Sequence, residues 1–400
     1  MATVLAIISC FFVTPGREYL SYINWRTLIL LFCLMAVVAG FAKAGVFRYI
    51  SRKLSQRMKD TRRLSVGFML LCFLLSMFVT NDVALVTVVP LTLLTMMGCS
   101  EKAKIQTLVQ ETIAANLGSM LTPFGNPQNL YLTSYYGIGM GEFLRLMLPY
   151  TGVALVILLL QTLISPKEGL GGRAREAGIP EGRVKEAAIP EGKNREAASL
   201  YESGENLTGK DEMYEEALRE KLLRSKGRLV SILLYGILFI VSMFSVARIL
   251  DYRILFGIIL ITILVYDRSV LRNVNYTLLL TFVSFFVLIG NLGAMTQIQA
   301  ALTQMIEGRE LLTAILSSQI ISNVPAAVLL SGFTDQGKAL IVGTNLGGLG
   351  TLIASMASII TFQLYSLESG AKKGKYLLTF TLWNVIDLVI LGTVAYCMMR

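Results

Sequence analysis

Two asparagine-centred motifs, Thr80-Asn81-Asp82 and Ser322-Asn323-Val324-Pro325, interrupt long apolar stretches of this chain. Each is followed by an Asn-Leu-Gly break, at Asn116 and at Asn345. A helix in lipid has no water to satisfy freed backbone groups, so polar breaks at membrane depth persist where they line a buried cavity. Their amide, hydroxyl and unwound carbonyl groups can hold ions and polar solutes. The spacing therefore predicts a polar binding site within a membrane.

The composition indicates a polytopic membrane protein. The chain is 54% hydrophobic and 16% charged, and its mean hydropathy is +0.64. The net charge of +10 comes from basic residues in short loops beside apolar segments, which is typical of cytoplasmic loops. We therefore expect a lipid bilayer as partner and no nucleic acid.

Metal and catalytic chemistry have little support in the sequence. Histidine is absent, which excludes imidazole ligands and Ser/His/Asp triads. The five cysteines have no metal-ligand spacing, and no P-loop is present. We predict that the protein is not an enzyme and holds no cofactor, apart from sodium or a proton as coupling ion.

The chain divides into two apolar halves, residues 1–164 and 229–400, separated by a charged low-complexity segment, 165–228. Near-repeats with balanced charge in this segment predict a disordered cytoplasmic linker. Seven basic residues between Arg48 and Arg63 place the first long loop in the cytoplasm as well. We therefore predict a multi-pass protein of the cell membrane, with a cytoplasmic N-terminus and linker and an outside C-terminus.

Leu64 to Met97 is too long for one span. As a single helix it would reach about 50 Å, whereas the hydrocarbon core is about 30 Å thick. We predict a re-entrant hairpin over residues 64–98 with its tip at Thr80-Asn81-Asp82. Two ordinary short spans joined by an external turn are the alternative. A broken span over 105–132 follows, because its Gly- and Pro-rich centre does not suit an intact lipid-facing helix. The alternative is that this centre is an extramembrane loop.

The second half repeats this order, with a hairpin over 310–333 and a broken span over 339–365. The lysines between Lys372 and Lys375 lie in the cytoplasm if this hairpin enters from the outside. Without a gap, Asn116 aligns with Asn345 and Thr122 with Thr351. The sequence thus predicts an all-α membrane protein of nine spans with an inverted-topology repeat, two re-entrant hairpins and two broken transmembrane helices. One span fewer precedes the first hairpin than the second, so the first half is either naturally shorter or trimmed at its N-terminus.

These motifs, Val79 to Leu85 with Pro90 and then Gly118 to Asn129, resemble those of the ion transporter superfamily. The resemblance is closest to the arsenite permease and sodium/proton antiporter (ArsB/NhaD-like) permeases, the divalent-anion:sodium symporters and the citrate transporters. It covers nearly everything except the linker. It implies that the hairpin tips and broken helices form the substrate and sodium sites, and that the protein is a homodimer. Sodium is implied at Thr80, Asn81 and Gly118, and again at Ser322, Asn323 and Gly347.

The predicted substrate- and ion-binding residues come from all four breaks. They are Thr80, Asn81, Asp82, Asn116, Gly118, Ser119, Thr122, Gly125, Asn126, Ser322, Asn323, Asn345, Gly347, Gly348 and Thr351. Dicarboxylate symporters carry Ser-Asn-Thr at both tips, whereas this chain has Asp82 in one tip and Val324 in the other. A carboxylate at midplane needs a partner, a proton or a cation, so Asp82 is interpreted as a cation ligand or proton carrier.

Two further acidic residues lie within apolar segments. Glu111 either faces the cavity entrance or caps the end of its span, and Asp387 has no obvious partner, so that either a proton-carrying or a packing role fits it.

The leading hypothesis is an ion-coupled secondary active transporter of a small anion, a di- or tricarboxylate or an inorganic oxyanion, driven by sodium or protons. A sodium/proton antiporter of the same fold is the alternative. A non-transport membrane protein is less favoured, because it does not explain the paired polar breaks.

Overall fold

The structure, a computed structural model, describes residues 2–13, 16–47, 49–50, 58, 60–169 and 210–399, and of residues 210–226 the helix alone. The helices of the first half are α1 (Ala2–Cys10), α2 (Tyr19–Tyr22), α3 (Trp25–Lys43), α4 (Thr61–Ser76), α5 (Asn81–Thr95), α6 (Glu101–Ser119), α7 (Pro127–Tyr136) and α8 (Met140–Leu163).

The second half begins with α9 (Lys210–Val246) and α10 (Tyr252–Tyr266), and a 3₁₀ helix, Arg268–Asn273, leads into the rest. These are α11 (Tyr276–Ala294), α12 (Thr296–Ile306), α13 (Glu310–Ile321), α14 (Asn323–Ser331), α15 (Gly337–Leu346), the 3₁₀ turn Leu352–Ala354, α16 (Met356–Ser366) and α17 (Lys373–Met399). In the described residues the only β-type pairing is an isolated bridge between Asp60 and Gly169. The predicted all-α secondary structure is therefore confirmed for the described residues.

Five helices among the described residues are long and apolar enough to cross a bilayer. They are Trp25–Lys43, Met140–Leu163, Gly227–Val246, Tyr276–Ala294 and Lys373–Met399. The predicted first span, Val4 to Val13, overlaps the short helix α1, which packs against α11. The nine-span count and the inverted orientation of the two halves stay predictions.

The first predicted hairpin consists of α4 and α5, joined by a short turn. Asp60 accepts a hydrogen bond of 2.9 Å from the Arg63 backbone N–H, which begins α4. Thr80, in an extended conformation, precedes α5. The hairpin tip thus falls where the polar motif predicts it, and α4 and α5 pack on each other and on α6. Whether the hairpin is re-entrant stays a prediction.

Helix α6 stops at Ser119, and α7 begins at Pro127 after a non-helical stretch. Proline suits the first helical position because its missing N–H would have no partner there. All residues of α6 from Ala103 to Ser119 are buried. A helix this polar can lie among apolar helices because protein, rather than lipid, surrounds it.

The second half has the same order of elements. Helices α13 and α14 meet at Ser322, whose φ of 73° lies in the left-handed region. Helix α15 ends at Leu346, and irregular backbone with the 3₁₀ turn separates it from α16. Each predicted broken helix has a break, at 120–126 and at 347–355. The breaks begin later than predicted, because Asn116 and Asn345 lie in the last turns of α6 and α15.

Parts of the predicted topology lie outside the described residues. Within the predicted linker, 165–228, residues 170–209 are not described, and neither are Arg48, Arg52, Lys53, Arg57 and Lys59 of the first loop. The division into two halves and a linker, and its cytoplasmic side, stay predictions.

Candidate functional site

The first hairpin tip is hydrogen-bonded to the first broken helix through two asparagines. Asn81 Nδ2 donates to Asn116 Oδ1 at 2.9 Å. The same oxygen accepts from Ser355 Oγ at 2.9 Å, and Asn116 Nδ2 donates to Ser358 Oγ at 3.4 Å. Asn116 therefore connects the first hairpin to the second broken helix.

The loop after α6 is tied to the hairpin turn by a threonine. Thr122 Oγ1 donates to the Met77 carbonyl at 2.6 Å and accepts from the Gly125 N–H at 3.1 Å. A hydroxyl can satisfy both groups because it is donor and acceptor at once. The unwound backbone is thus held in one defined shape.

Asparagines at the end of this loop and in the first turn of α7 bond to the residues around the break. Asn126 Nδ2 donates to Ser119 Oγ at 2.6 Å. Asn129 Nδ2 reaches the Ser119 and Thr122 carbonyls at 3.4 and 3.2 Å. Asn129 Oδ1 accepts from Asn345 Nδ2 at 2.6 Å. The two broken helices are therefore joined by a second side-chain contact.

At the second hairpin tip, Ser322 Oγ donates to the Ala354 carbonyl at 3.3 Å. Asn323 Oδ1 accepts from the Val324 N–H at 2.9 Å, as Asn81 Oδ1 does from the Asp82 N–H at 3.0 Å. Asn323 is buried, and a Cβ on Gly348 would lie 3.0 Å from its Nδ2. Tip and break are in close contact here too.

The two halves make equivalent contacts. Thr351 Oγ1 donates to the Gln319 carbonyl at 3.1 Å, as Thr122 does to Met77, and the tip alignment pairs Met77 with Gln319. Likewise, the alignment pairs Asn116 with Asn345 and Ser358 with Asn129, and each asparagine donates to the other half's partner. Aligned positions of the two halves therefore make equivalent hydrogen bonds, and the inverted-topology repeat stays a prediction.

Two glycines allow this close packing. A Cβ on Gly118 would lie 2.1 Å from the Phe73 carbonyl oxygen and 2.6 Å from Ser76 Oγ. A Cβ on Gly347 would lie 2.5 Å from Ser318 Oγ. The alignment pairs these positions as well, so both halves need glycine where the broken helix touches its hairpin.

A cavity of about 450 Å³ lies beside the first hairpin tip. Apolar side chains of α3, α5, α7, α11 and α16 form most of its lining. The polar lining residues are Lys43, Thr80, Asp82, Thr87, Asn273 and Asn275. The Asp82 side chain is partly buried, and no hydrogen bond or ion pair to its carboxylate is present among the described residues. The predicted site thus borders an open cavity, and the Asp82 carboxylate lines that cavity.

Lys43 is bonded to neighbours outside the apolar core. Its Nζ lies 2.5 Å from Asp267 Oδ2 and also bonds to Ser269 Oγ. This hydrogen bond lowers the pKa of Asp267, and the Ser269 hydroxyl adds to the effect. The cavity's one lysine is therefore already paired with a carboxylate.

Other buried polar groups keep an unpartnered atom in the described part of the chain. Glu111 accepts from Thr92 Oγ1 at 2.6 Å through one oxygen, and Asp387 accepts from Gln161 Nε2 at 2.5 Å through one oxygen. The second oxygen of each carboxyl has no partner there, and neither has Asn345 Oδ1. Glu111 is fully buried inside α6, so the alternative in which it caps the end of its span is wrong.

The structure brings most of the predicted residues into two neighbouring groups, one at each hairpin tip. Thr351 is exposed and bonds to Gln319 rather than to Ser322 or Asn323. Sequence reasoning missed Gln319, Asn129, Ser355 and Ser358. Extending the ungapped alignment beyond Thr351 would have paired Asn126 with Ser355 and Asn129 with Ser358, which is the signal that identifies them.

Five apolar helices of spanning length among the described residues, together with the buried polar breaks, fit a multi-pass membrane protein. The sequence profile of the citrate transporter family (CitMHS) matches residues 1–335, and the chain belongs to that family.

Similar proteins carry transporter or membrane-protein names. The uncharacterized transporter MJ0456 of Methanocaldococcus jannaschii is 30% identical over 385 residues, which cover 95% of this chain and 91% of that protein. The inner membrane protein YbiR of Escherichia coli is 29% identical over 354 residues, covering 87% and 82%. The silicon efflux transporter LSI3 of Oryza sativa is 33% identical over 194 residues, covering 46% and 39%. The family and its named transporters are not enzymes, as the sequence predicted.

Proposed function

We propose that this protein is an ion-coupled secondary active transporter that moves a small anion by alternating access, driven by sodium or protons. The observation that carries the proposal is the cavity beside Thr80 and Asp82, which is bounded by α3 on one side and by the first hairpin and α16 on the other. A binding cavity between separate helix groups suits alternating access, because their relative movement can open it to either side.

Helix ends supply part of the anion-binding chemistry. Pro127, the first residue of α7, and Asn275, which precedes α11, both line the cavity. Proline has no N–H, and Asn275 Oδ1 already accepts from the Leu278 N–H at 3.0 Å. The remaining first-turn N–H groups carry partial positive charge and so favour an anion. Lys43 also lies at the cavity edge, where its charge is paired with Asp267. Carboxylates and inorganic oxyanions both fit these donors, and citrate is the first candidate because the family is named for it.

Asp82 and the asparagines supply the cation-binding chemistry. The Asp82 carboxylate lines the cavity without a described partner, and Asn81 lies at the start of the same helix. Carboxylate and amide oxygens are suitable ligands for a hard cation. A bound cation or proton would neutralise Asp82 in a largely apolar setting. Ion binding would thereby change the charge of the site.

A sodium/proton antiporter of the same fold is the second candidate. It is favoured by Asp82 itself, since a single carboxylate that binds either ion in turn is sufficient for exchange. Collapse of a pH gradient when sodium is added, without any anion, would support this alternative.

The test uses purified protein in liposomes. Uptake of citrate, other di- and tricarboxylates, phosphate and arsenite is measured under an inward sodium gradient, an inward proton gradient and no gradient. We expect gradient-dependent uptake of at least one of these solutes. No gradient-dependent uptake of any of them would overturn the proposal.

The site assignment has its own variants. Asn81→Ala and Asn323→Ala should each abolish uptake while the protein still inserts and purifies as a folded species. Asn384→Ala is the matched control, because Asn384 is equally buried but bonds within α17. Wild-type uptake by both tip variants would remove the basis for the site.

We further propose that the protein acts as a homodimer in the cell membrane, with its N-terminus and linker in the cytoplasm and its C-terminus outside. The short-loop lysines and arginines support this orientation. Cysteine labelling of Cys397, which is exposed near the end of α17, from either side of the membrane tests the position of the C-terminus.

A further inference from the structure

The amide of Gln319 lies among backbone carbonyls of the second half. Gln319 is in the last turn of α13, just before the hairpin tip. Its Nε2 lies 2.9 Å from the Leu349 carbonyl oxygen, 3.0 Å from that of Gly347 and 3.2 Å from that of Ile315. Two of these carbonyls belong to the break after α15. They are the kind of unwound carbonyl that binds cations in broken transporter helices.

The break is shaped around this side chain. The Thr351 N–H donates to Gln319 Oε1 at 2.9 Å. Gly350 has a φ of 102°, and a Cβ there would lie 2.3 Å from Gln319 Oε1. Both ends of the amide are therefore satisfied, and the backbone passes too close for any side chain at position 350. The contact is a built part of the fold rather than a surface side chain resting on it.

The first half differs at the aligned positions. Met77 replaces Gln319 there, and a thioether has no N–H to donate. The carbonyls aligned with Gly347 and Leu349 are those of Gly118 and Met120, and in the described residues no side-chain donor reaches either of them. The first half also carries Asp82, where the second has Val324. The Gly118 carbonyl accepts only backbone N–H groups, that of Leu121 at 3.2 Å among them, and the Met120 carbonyl has no hydrogen bond among the described residues. The Met120 carbonyl and the negative charge of Asp82 thus occur together in the first half.

We propose that the Gln319 amide occupies the second-half carbonyl site permanently, so that a coupling cation binds beside the first hairpin alone. This inference rests on the proposed function and refines it. The amide N–H groups carry partial positive charge and satisfy the carbonyls that a cation would otherwise need. A cation could enter only by displacing the amide, which would leave both ends of the amide without partners in a partly buried place. One cation per cycle is the expected stoichiometry.

The proposal predicts that removing the amide creates a cation site. Gln319→Met copies the residue at position 77 and keeps the side-chain length. Gln319→Glu is isosteric and replaces the N–H donors by oxygen, so its carboxylate and the neighbouring carbonyls need a cation between them. In both variants, thermal unfolding in detergent should acquire a sodium-dependent rise in Tm beyond that of the wild type, because an ion that binds the folded state stabilises it.

The measurement compares sodium with N-methylglucamine at constant ionic strength and uses no substrate. Gln336→Met is the matched control, since Gln336 is an exposed glutamine whose described contacts are through its backbone. It should keep the wild-type response. The reverse change, Met77→Gln, should weaken any sodium response of the wild type.

An additional sodium-dependent Tm rise in Gln319→Met or in Gln319→Glu supports the proposal, as does a variant that folds in sodium but not in N-methylglucamine. Unchanged sodium dependence in both variants overturns it. Failure of the wild type to take up any anion would instead overturn the proposed function, and the Tm result would still stand because it needs no transport.

Discussion

Asn345 Nδ2 donates to Asn129 Oδ1 at 2.6 Å, and so joins the two broken helices at the centre of the molecule. The aligned pair, Asn116 and Ser358, makes the same contact in the opposite sense at 3.4 Å. Reciprocal contacts of this kind, between residue i of one half and residue j of the other, are what a twofold relation between the halves would produce. The shorter of the two contacts is the stronger candidate for a structural role.

A double-mutant cycle at this pair tests that role. Asn345→Ala and Asn129→Ala should each lower the free energy of unfolding, and the double variant should lose less than the sum of the two. Residues in contact typically show interaction energies of about 0.5–3 kcal/mol. Thermal unfolding in detergent measures all three variants. Additive losses would mean that the hydrogen bond contributes nothing beyond its separate side chains.

The paired glycines make a second prediction. Gly118→Ala places a methyl group 2.1 Å from a backbone oxygen, which cannot rotate away, so hairpin and broken helix must separate. We expect little folded protein or a large fall in Tm, since overpacking typically costs about 1–3 kcal/mol or more. Gly392→Ala is the control, because nothing lies within 4 Å of its added Cβ. Normal Tm and uptake in Gly118→Ala would contradict the close approach of these helices.

Gly347→Ala should be partly rescued by a second change. The added Cβ would lie 2.5 Å from Ser318 Oγ and 2.7 Å from Ser318 Cβ. Removing that side chain in Gly347→Ala/Ser318→Gly should therefore recover part of the lost stability, although glycine within a helix itself costs about 1 kcal/mol. Chemical denaturation of the single and double variants measures the recovery. A double variant less stable than either single variant would argue against direct contact.

Replacing Asp82 by asparagine should change ion dependence more than folding. The substitution keeps the size of the side chain and removes the one carboxylate found in the cavity lining. Loss of a charged contact is typically worth about 1.5–3 kcal/mol, which corresponds to roughly a tenfold or larger change in apparent ion affinity. Initial uptake rates against sodium concentration and against pH measure it. Asp335→Asn, at an exposed position, serves as control. Unchanged dependence of uptake on sodium and on pH in Asp82→Asn would show that Asp82 has a purely structural role.

The ion pair between Lys43 and Asp267 makes stability depend on acid pH. The pKa of Asp267 is lowered in the folded state by the hydrogen bond from Lys43. A lowered carboxyl pKa adds stability above the unfolded value of about 3.9, and this is lost as the pH falls through the folded pKa. Asp267→Asn should therefore lower stability at neutral pH by about 1 kcal/mol or less, since the pair is partly exposed. The variant and the wild type should converge in strong acid.

Thermal unfolding of both proteins across that pH range provides the comparison, again with Asp335→Asn as control. A gap between wild type and Asp267→Asn that stays constant into strong acid would show that the pair does not act through the charge of Asp267.

The sequence located the breaks well, because proline, glycine and asparagine are costly inside a lipid-facing helix and so mark its ends. The tip before Asn81 lies where these residues predict it, and the break at 120–126 lies within the predicted Gly- and Pro-rich stretch. An ungapped alignment paired Asn116 with Asn345 and Thr122 with Thr351, and the aligned residues make equivalent contacts, although the sequence did not predict the contacts across the halves. Local backbone chemistry was sufficient for the breaks.

Contacts between distant segments could not be predicted from the sequence. The Lys43–Asp267 pair joins the end of α3 to the residue after α10, and neither residue has a neighbour in sequence that indicates the other. In the sequence, Gln319 is one polar residue within an apolar helix. Its role depends on hydrogen bonds to carbonyls that lie 28 and 30 positions further along the chain. Such relationships follow from how helices pack, which periodicity alone does not determine.

Pairing of the cavity's lysine also affects how fast a solute arrives. A single uncompensated charge steers an oppositely charged molecule over distances comparable to the Debye length, about 8 Å at physiological salt, and can raise encounter rates by orders of magnitude. Because Lys43 is held 2.5 Å from Asp267, an approaching anion meets a dipole whose field falls off much faster with distance. Lys43 therefore adds little long-range attraction for an anion at this edge of the cavity.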